Sequence, residues 1–430
     1  MTQNADRTTL TDRAAEPAPE RAEEPARPAP RALGRLIGVD LARGLAVFGM
    51  YAAHVGPDPA QGGFVGHVME LAHGRASALF AFLAGFSVML ITGRRTPKTG
   101  RAGRQAVAKV VIRAAILLVL GTLLTMSGTP VEVILAFYGL YFLLVLPLHR
   151  LRALPLAVIA AASALVLPQV LYVVQHFLAN HEPGGLWTWP AETGGVVSLL
   201  FSGSYPALTW IPFVIAGMAV ARLDLAATLV RTRLAVTGAA LAVLGYGGSW
   251  LALHLVPGAL TRLAESGFGG WGKGGAGLDG ADMGGAGLGG GGSAASAWWS
   301  DTWGYPTGDT PYGLLVASPH SETTLSVLGN TGVALLVLIG CLAAVDAFPR
   351  FHRLAKPVIA VGSMSLTAYL FHIAGIHMLG IEELPGSPPH VLLGFIVAVT
   401  VFAAVWARYF RRGPLEWLLG KATKPAELIR

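Results

Sequence analysis

Three short stretches hold ionisable and hydroxyl side chains at spacings that can do chemistry. The first, RLIGVDLARGLAVFGMYAAHVG, residues 35–56, carries Asp40, Arg43 and His54. On a helix Asp40 and Arg43 share a face and can pair. His54 follows Arg43 by eleven residues, close to a whole number of turns and about 16 Å along the axis. One helix face would thus carry a carboxylate–guanidinium pair at one end and an imidazole at the other. The second stretch, VMELAHGRASALFAFLAGFS, residues 68–87, opens with Glu70, His73 and Arg75. The third, GSMSLTAYLFHIAGIH, residues 362–377, sets Ser365, Tyr369 and His372 at spacings of four and three, again on one face. An imidazole can take and return a proton near neutral pH. A guanidinium or hydroxyl can steady a developing oxyanion. Each group also has a plainer reading: a structural ion pair, a wetted helix end, or polar glue between helices.

The elements that must position these groups are membrane helices. The chain of 430 residues is 53% apolar and only 13% charged, with mean hydropathy +0.57. Soluble domains average about 25% charged. The charges cluster between apolar runs of about 20 residues, the length that crosses a bilayer. Ten such runs fall near residues 36–56, 68–92, 108–126, 131–148, 154–178, 206–223, 234–256, 323–347, 356–380 and 390–410. An ionisable group within one of them costs a few kcal/mol or more unless paired or wet, which makes it a functional candidate.

Orientation follows from Lys and Arg in the connections. One side collects Arg94, Arg95, Lys98, Arg101, Arg104 and Lys109, then Arg150 and Arg152, then Arg222, Arg231 and Arg233, then Arg350, Arg353 and Lys356, and the tail with Arg411, Arg412, Lys421 and Lys424. Alternate connections have none, except the longest, with Arg262 and Lys273. The expectation is an all-α, polytopic transmembrane bundle of about ten helices in the cell membrane, with both termini cytoplasmic. His54, His73 and Arg75 then sit at similar depths near the outer face and can line one pocket.

Residues 1–34 read as a disordered cytoplasmic leader and residues 35–425 as the transmembrane domain. The long external connection, about 257–322, contains a glycine-rich stretch at 267–292, read as a flexible insert. The aromatic cluster after it, Trp298, Trp299, Trp303, Tyr305 and Tyr312, suits an interfacial belt or a lid over substrate. The single cysteine, Cys341, allows neither a disulfide nor a thiolate metal site within the chain. The net charge of +7 points to anionic lipid rather than nucleic acid. Walker, dinucleotide, His–Glu metal and G-x-S-x-G motifs are all absent, so no bound cofactor or metal is expected.

VDLARGLAVFGMYAAH resembles the first helix of two groups of membrane acyltransferases. Arg43 and His54 fit the spacing of the acyltransferase-3 family, a basic residue, ten residues, then a catalytic histidine. Asp40, Arg43 and Gly44 match the V-D-x-x-R-G segment of the heparan-α-glucosaminide N-acetyltransferase group. HGRASALFAFLAGFS, YPALTWIPFVIAGMAVARLDL, SMSLTAYLFH and RRGPLEWLL resemble the bacterial branch of that second group, which includes the YeiB-like proteins of unknown function. The likeness spans nearly the whole chain beyond residue 34, apart from the glycine-rich insert.

The resemblance implies transfer of an acyl group, acetyl above all, from cytoplasmic acyl-CoA to a hydroxyl or amine at the outer face. A glycan, a lipid-linked sugar or a small molecule would be the acceptor. His54 or His73 would act as base or acyl carrier, since heparan-type enzymes place the active histidine slightly later than the first helix. Arg43 would meet the donor's phosphates or hold its helix through Asp40. Arg75, Ser365, Tyr369 and His372 would bind substrate or donate to the oxyanion. A transporter or lipid-handling protein explains intramembrane charges equally well and would show helices broken at the bilayer midplane.

Overall fold

A computed structural model of the chain describes residues 37–179, 195–265, 294–300, 310–382 and 384–429. The expected leader, the glycine-rich insert, Trp303 and Tyr305 fall outside the described residues. Among those described, every regular element is helical and no strand occurs.

The helices are α1 (Ile37–Val55), α2 (Gly63–Ala72), α3 (Arg75–Thr92), α4 (Gly100–Met126), α5 (Leu135–Val145), α6 (Ala153–Ala179), α7 (Ala207–Ala221), α8 (Thr228–Ala242), α9 (Gly248–Leu255), α10 (Ala259–Glu265), α11 (Thr324–Ala347), α12 (Pro349–Ser363), α13 (Ser365–Leu379), α14 (Pro389–Tyr409) and α15 (Pro414–Ala422). Six helical segments are long and apolar enough to cross a membrane: Gly63–Thr92, Gly100–Met126, Ala153–Phe177, Thr228–Leu255, Thr324–Ala347 and Pro389–Tyr409. A seventh arises if the bent pair α12–α13 counts as one span. Three shorter or more polar helices, α1, α5 and α7, coincide with the other expected runs.

Burial separates these classes. The outer helices show Leu123, Leu165, Val173, Val236 and Val397 on their exposed sides, as a lipid-facing surface requires. The shorter α1 and α7 are buried along most of their length. Close approach needs small residues, because apolar lipid supplies no hydrophobic drive between helices. A Cβ on Gly85 of α3 would overlap the Val214 carbonyl of α7, and one on Gly217 the Phe82 carbonyl. The same device presses α12 onto α1, where Gly44 meets Val358 and Gly362 meets the Asp40 carbonyl.

The basic connections gather at one end of the bundle. Arg94 donates to the Ala221 carbonyl at 3.1 Å, and Arg222 donates to the Leu151 and Arg94 carbonyls at 3.0 and 2.9 Å. Arg231 pairs with Asp346 at 2.6 Å, and Lys109 with Glu427 at 2.9 Å. At the opposite end α9, α10 and residues 294–300 and 310–317 form a small cap around Leu253, Ala259, Leu263, Ala297 and Val316.

Two expected spans are not continuous. The run placed at 68–92 starts at Gly63 and breaks at His73–Gly74, where Gly74 takes φ +66°. The run placed at 356–380 bends by 78° between α12 and α13. The bend at Met364 frees the first N–H groups of α13, and the Glu416 carboxylate of α15 caps them. It accepts from the Leu366 and Thr367 amides at 2.8 and 3.2 Å and from the Thr367 hydroxyl at 2.7 Å, which suits a helix N-terminus.

Candidate functional site

His54 lies in the last turn of α1 and meets His372 of α13. His54 Nδ1 stands 3.0 Å from His372 Nε2, and the rings stack at 5.2 Å with 12° between planes. Tyr51, one turn earlier on α1, stacks on His372 at 5.0 Å. Its hydroxyl donates to the Ala368 carbonyl at 2.7 Å, which fixes α1 against α13. Tyr369 turns its ring edge to His372 at 5.2 Å, and its hydroxyl accepts the Ile134 amide at 3.3 Å.

One backbone atom sets the tautomers of both rings. The Tyr369 carbonyl can only accept, so the contacting His372 Nδ1 carries the hydrogen. Neutral His372 then offers Nε2 as an acceptor, and His54 must donate from Nδ1. The basic lone pair of His54 is therefore on Nε2.

His73 joins this cluster as the fully buried residue that ends α2. Its Nδ1 donates to the Met69 carbonyl at 2.9 Å. Arg75 is tied to the backbone instead. It donates to the Glu70 carbonyl at 2.8 Å and, across the cap, to the Trp299 carbonyl at 2.9 Å. Its guanidinium lies 5.0 Å from the Tyr246 ring, and His67 stacks on Trp299 at 6.1 Å. Tyr246 belongs to a π-helical turn at Val243–Gly247 and donates to Asn330 Oδ1 at 2.7 Å. Arg75 thus latches the cap onto the bundle.

Asp40 and Arg43 form the expected pair at 3.0 Å. Arg43 also donates to the Ser87 hydroxyl at 3.0 Å and the Gly362 carbonyl at 3.4 Å, so it ties α1 to α3 and α12. This bridge stands about three turns from His54. Ser365 opens α13 beside the Glu416 cap, seven residues and about 10 Å from His372 along the helix. The structure therefore brings His54, His372 and Tyr369 into contact, places His73 near His54 with Arg75 donating to the His73 carbonyl at 3.5 Å, and sets Asp40, Arg43 and Ser365 apart from them.

Two further site residues escape a reading by spans. His320 and Glu322 precede α11 and hold φ values of 55° and 41°, conformations uncommon outside glycine. His320 Nδ1 is 3.8 Å from Glu322 Oε1. The His320 ring packs against Tyr205 and Trp210 at 5.8 and 6.2 Å, and a Cβ at Gly74 would come within 3.1 Å of its amide. Glu322 is 3% exposed, and its Oε1 has no hydrogen-bond partner among the described residues. Both groups face a small void lined by Gly74, Trp210, Phe213 and Asn330.

Burial raises the Glu322 carboxyl well above the carboxylate range. Burial, helped by the neighbouring His73 and His54, pushes the His320 imidazole down to about 3. Burial thus opposes the charged form of both groups. The available signal was S-P-H-S-E-T, residues 318–323, a titratable pair touching the start of a span. Among the described residues no group of three or more His, Cys, Asp or Glu is placed to hold a metal.

An all-helical bundle with lipid-facing flanks and an imidazole cluster at the end opposite its basic loops is a membrane protein. A family model described as heparan-alpha-glucosaminide N-acetyltransferase, catalytic, matches residues 35–254, just over half of the chain. The chain belongs to that family. A second model, described as a protein of unknown function (DUF418), matches residues 314–425. His54 and His73 lie in the first matched segment; His320, Glu322, Tyr369 and His372 lie in the second. No curated protein matches the chain.

Proposed function

We propose that the protein transfers an acetyl group from cytoplasmic acetyl-CoA to an amine or hydroxyl of a glycan, lipid-linked sugar or small molecule at the outer face of a bacterial cell membrane. The observation that carries this reading is the His54–His372 hydrogen bond, which leaves a basic Nε2 on His54 in a family named for acetyl transfer. With α1, α5 and α7 counted, the bundle spans ten times and keeps both termini cytoplasmic, in keeping with the clustered basic connections.

In the reaction the acceptor's nitrogen or oxygen attacks the thioester carbonyl while His54 Nε2 takes its proton. The tetrahedral intermediate collapses, the carbon–sulfur bond breaks, and the proton returns to the departing thiolate of CoA. His372 relays charge through its hydrogen bond, and Tyr369 and Tyr51 hold it in place. Glu322, His320 and Asn330 form a polar cradle for the acceptor. Asp40 and Arg43 are positioning residues that set the height of α1. Arg75 holds the cap over the site.

A transporter remains the rival, and one observation favours it: the 78° break between α12 and α13, since transporters bind solutes at interrupted helices. The test is CoA release from radiolabelled acetyl-CoA by purified protein. His54→Asn keeps size and hydrogen bonding but cannot take a proton, and should lower CoA release about a hundredfold or more with an unchanged melting temperature. Full activity in His54→Asn with a dead His73→Ala would move the chemistry to His73. CoA release untouched in both, with a solute flux lost, would make the protein a transporter.

A further inference from the structure

At the basic end, away from the histidines, α12 is built for an interface. Phe351, Leu354, Ala355 and Val358 recur at spacings of three, one and three and form one apolar stripe. Arg350 stands one turn before Leu354 at the edge of that stripe, with Arg353 and Lys356 farther round the helix, and all three are exposed. Among the described residues none of these three forms an ion pair. A helix with that division lies along the boundary between headgroups and hydrocarbon.

Beneath its apolar stripe is a cavity of about 430 Å³ between α12, α1 and α11. That volume lies within the roughly 300–1,000 Å³ typical of ligand pockets. Its walls include Leu41 and Leu45 of α1, Gly340 and Ala344 of α11, and Phe351 and Leu354 of α12. Leu354 is 79% exposed, so the groove opens sideways where lipid must lie. A void with apolar walls stays dry and forfeits its dispersion contacts when empty. Another apolar body therefore fills it.

We propose that this groove binds one acyl chain of an anionic phospholipid, whose phosphate is held by Arg350 and Arg353. The charges choose the occupant. Arginine takes phosphate through paired N–H donors, and a basic cluster at a membrane surface draws anionic lipid. A second copy of this chain is a poor occupant, because a symmetric contact at α12 would oppose one basic cluster to the other. The inference stands independently of acyl transfer.

The test is lipid retention by the full chain, purified in detergent and followed by native mass spectrometry. Phosphatidylglycerol and phosphatidylcholine are titrated separately. Gly340→Leu projects a side chain into the groove from an open position, since a Cβ there meets nothing within 4 Å. Arg350→Gln with Arg353→Gln removes the phosphate ligands from an exposed surface. Thermal melting confirms that both variants fold. The parent should hold phosphatidylglycerol at least tenfold more tightly than phosphatidylcholine. Gly340→Leu should weaken phosphatidylglycerol about tenfold, and the double variant should bring it to the phosphatidylcholine level. Equal retention of the two lipids by the parent, or unchanged retention by Gly340→Leu, overturns the proposal. So does a Gly340→Leu variant that loses only the binding of a long-chain acyl-CoA.

Discussion

Glu322 and His320 make stability depend on pH in opposite directions. A carboxyl held above its ordinary value of 4.5 keeps its proton in the folded state after the unfolded chain has lost it. Stability therefore falls as pH rises from about that value toward the raised one. Glu322→Gln keeps the shape and removes the dependence. It should melt above the parent at pH 8 and lose most of that margin by pH 5, as followed by thermal unfolding in detergent. A margin independent of pH would show that the carboxyl is not held protonated. The imidazole acts on the acid side. His320 has an ordinary value of 6.5 and a folded value of about 3, so stability falls as pH drops from 6.5 toward 3. His320→Asn should blunt that acid limb.

Between elements, α3 and α7 approach with backbone against backbone. Gly85→Ala or Gly217→Ala would force the two helices apart, because the obstacle in each case is a carbonyl on a rigid helix. Overpacking of this kind costs about 1–3 kcal/mol or more. Both variants should lower the melting temperature or abolish stable expression, whereas Gly340→Ala should match the parent. Equal melting of all three would mean that α3 and α7 are not in contact. The apolar runs that became these helices were legible in the sequence, because a span must be long and apolar whatever surrounds it. Asp40 with Arg43 was legible for a similar reason, since partners three residues apart on one helix need no tertiary information. The bend at Met364 was not, because the carboxylate that caps α13 comes from Glu416, fifty residues away. Nor was the seat of His320 and Glu322. They lie in a connection without periodicity, and only the packing of Gly74 and Trp210 makes them part of the site.

For the molecule as a whole, topology decides which compartment each end of the bundle meets. Reporter fusions after residues 100, 151, 228 and 352 should read cytoplasmic, because these connections carry the Lys and Arg that meet at one end of the bundle. Fusions near residues 60, 190 and 280 should read external. An inverted reporter in mid-chain would reduce the number of spans below ten. The nearness of His54 and His73 at one end was foreseeable from depth alone. The choice of His372 as the partner of His54 was not, since spacing along a chain says nothing about which helices touch.

That partnership also has a history in time. His54 and His372 are separated by 318 residues, and a ribosome adding about 5–20 residues per second needs roughly 15–60 s to bridge them. Through that interval α1 has left the translation machinery, while α12 and α13 have yet to be made. Its guanidinium cannot reach Gly362, and its imidazole has no second ring to meet. Asp40, already translated three residues before Arg43, arrives with it. The local ion pair thus serves the nascent chain first. It keeps this charged helix tolerable to lipid until the rest of the protein exists.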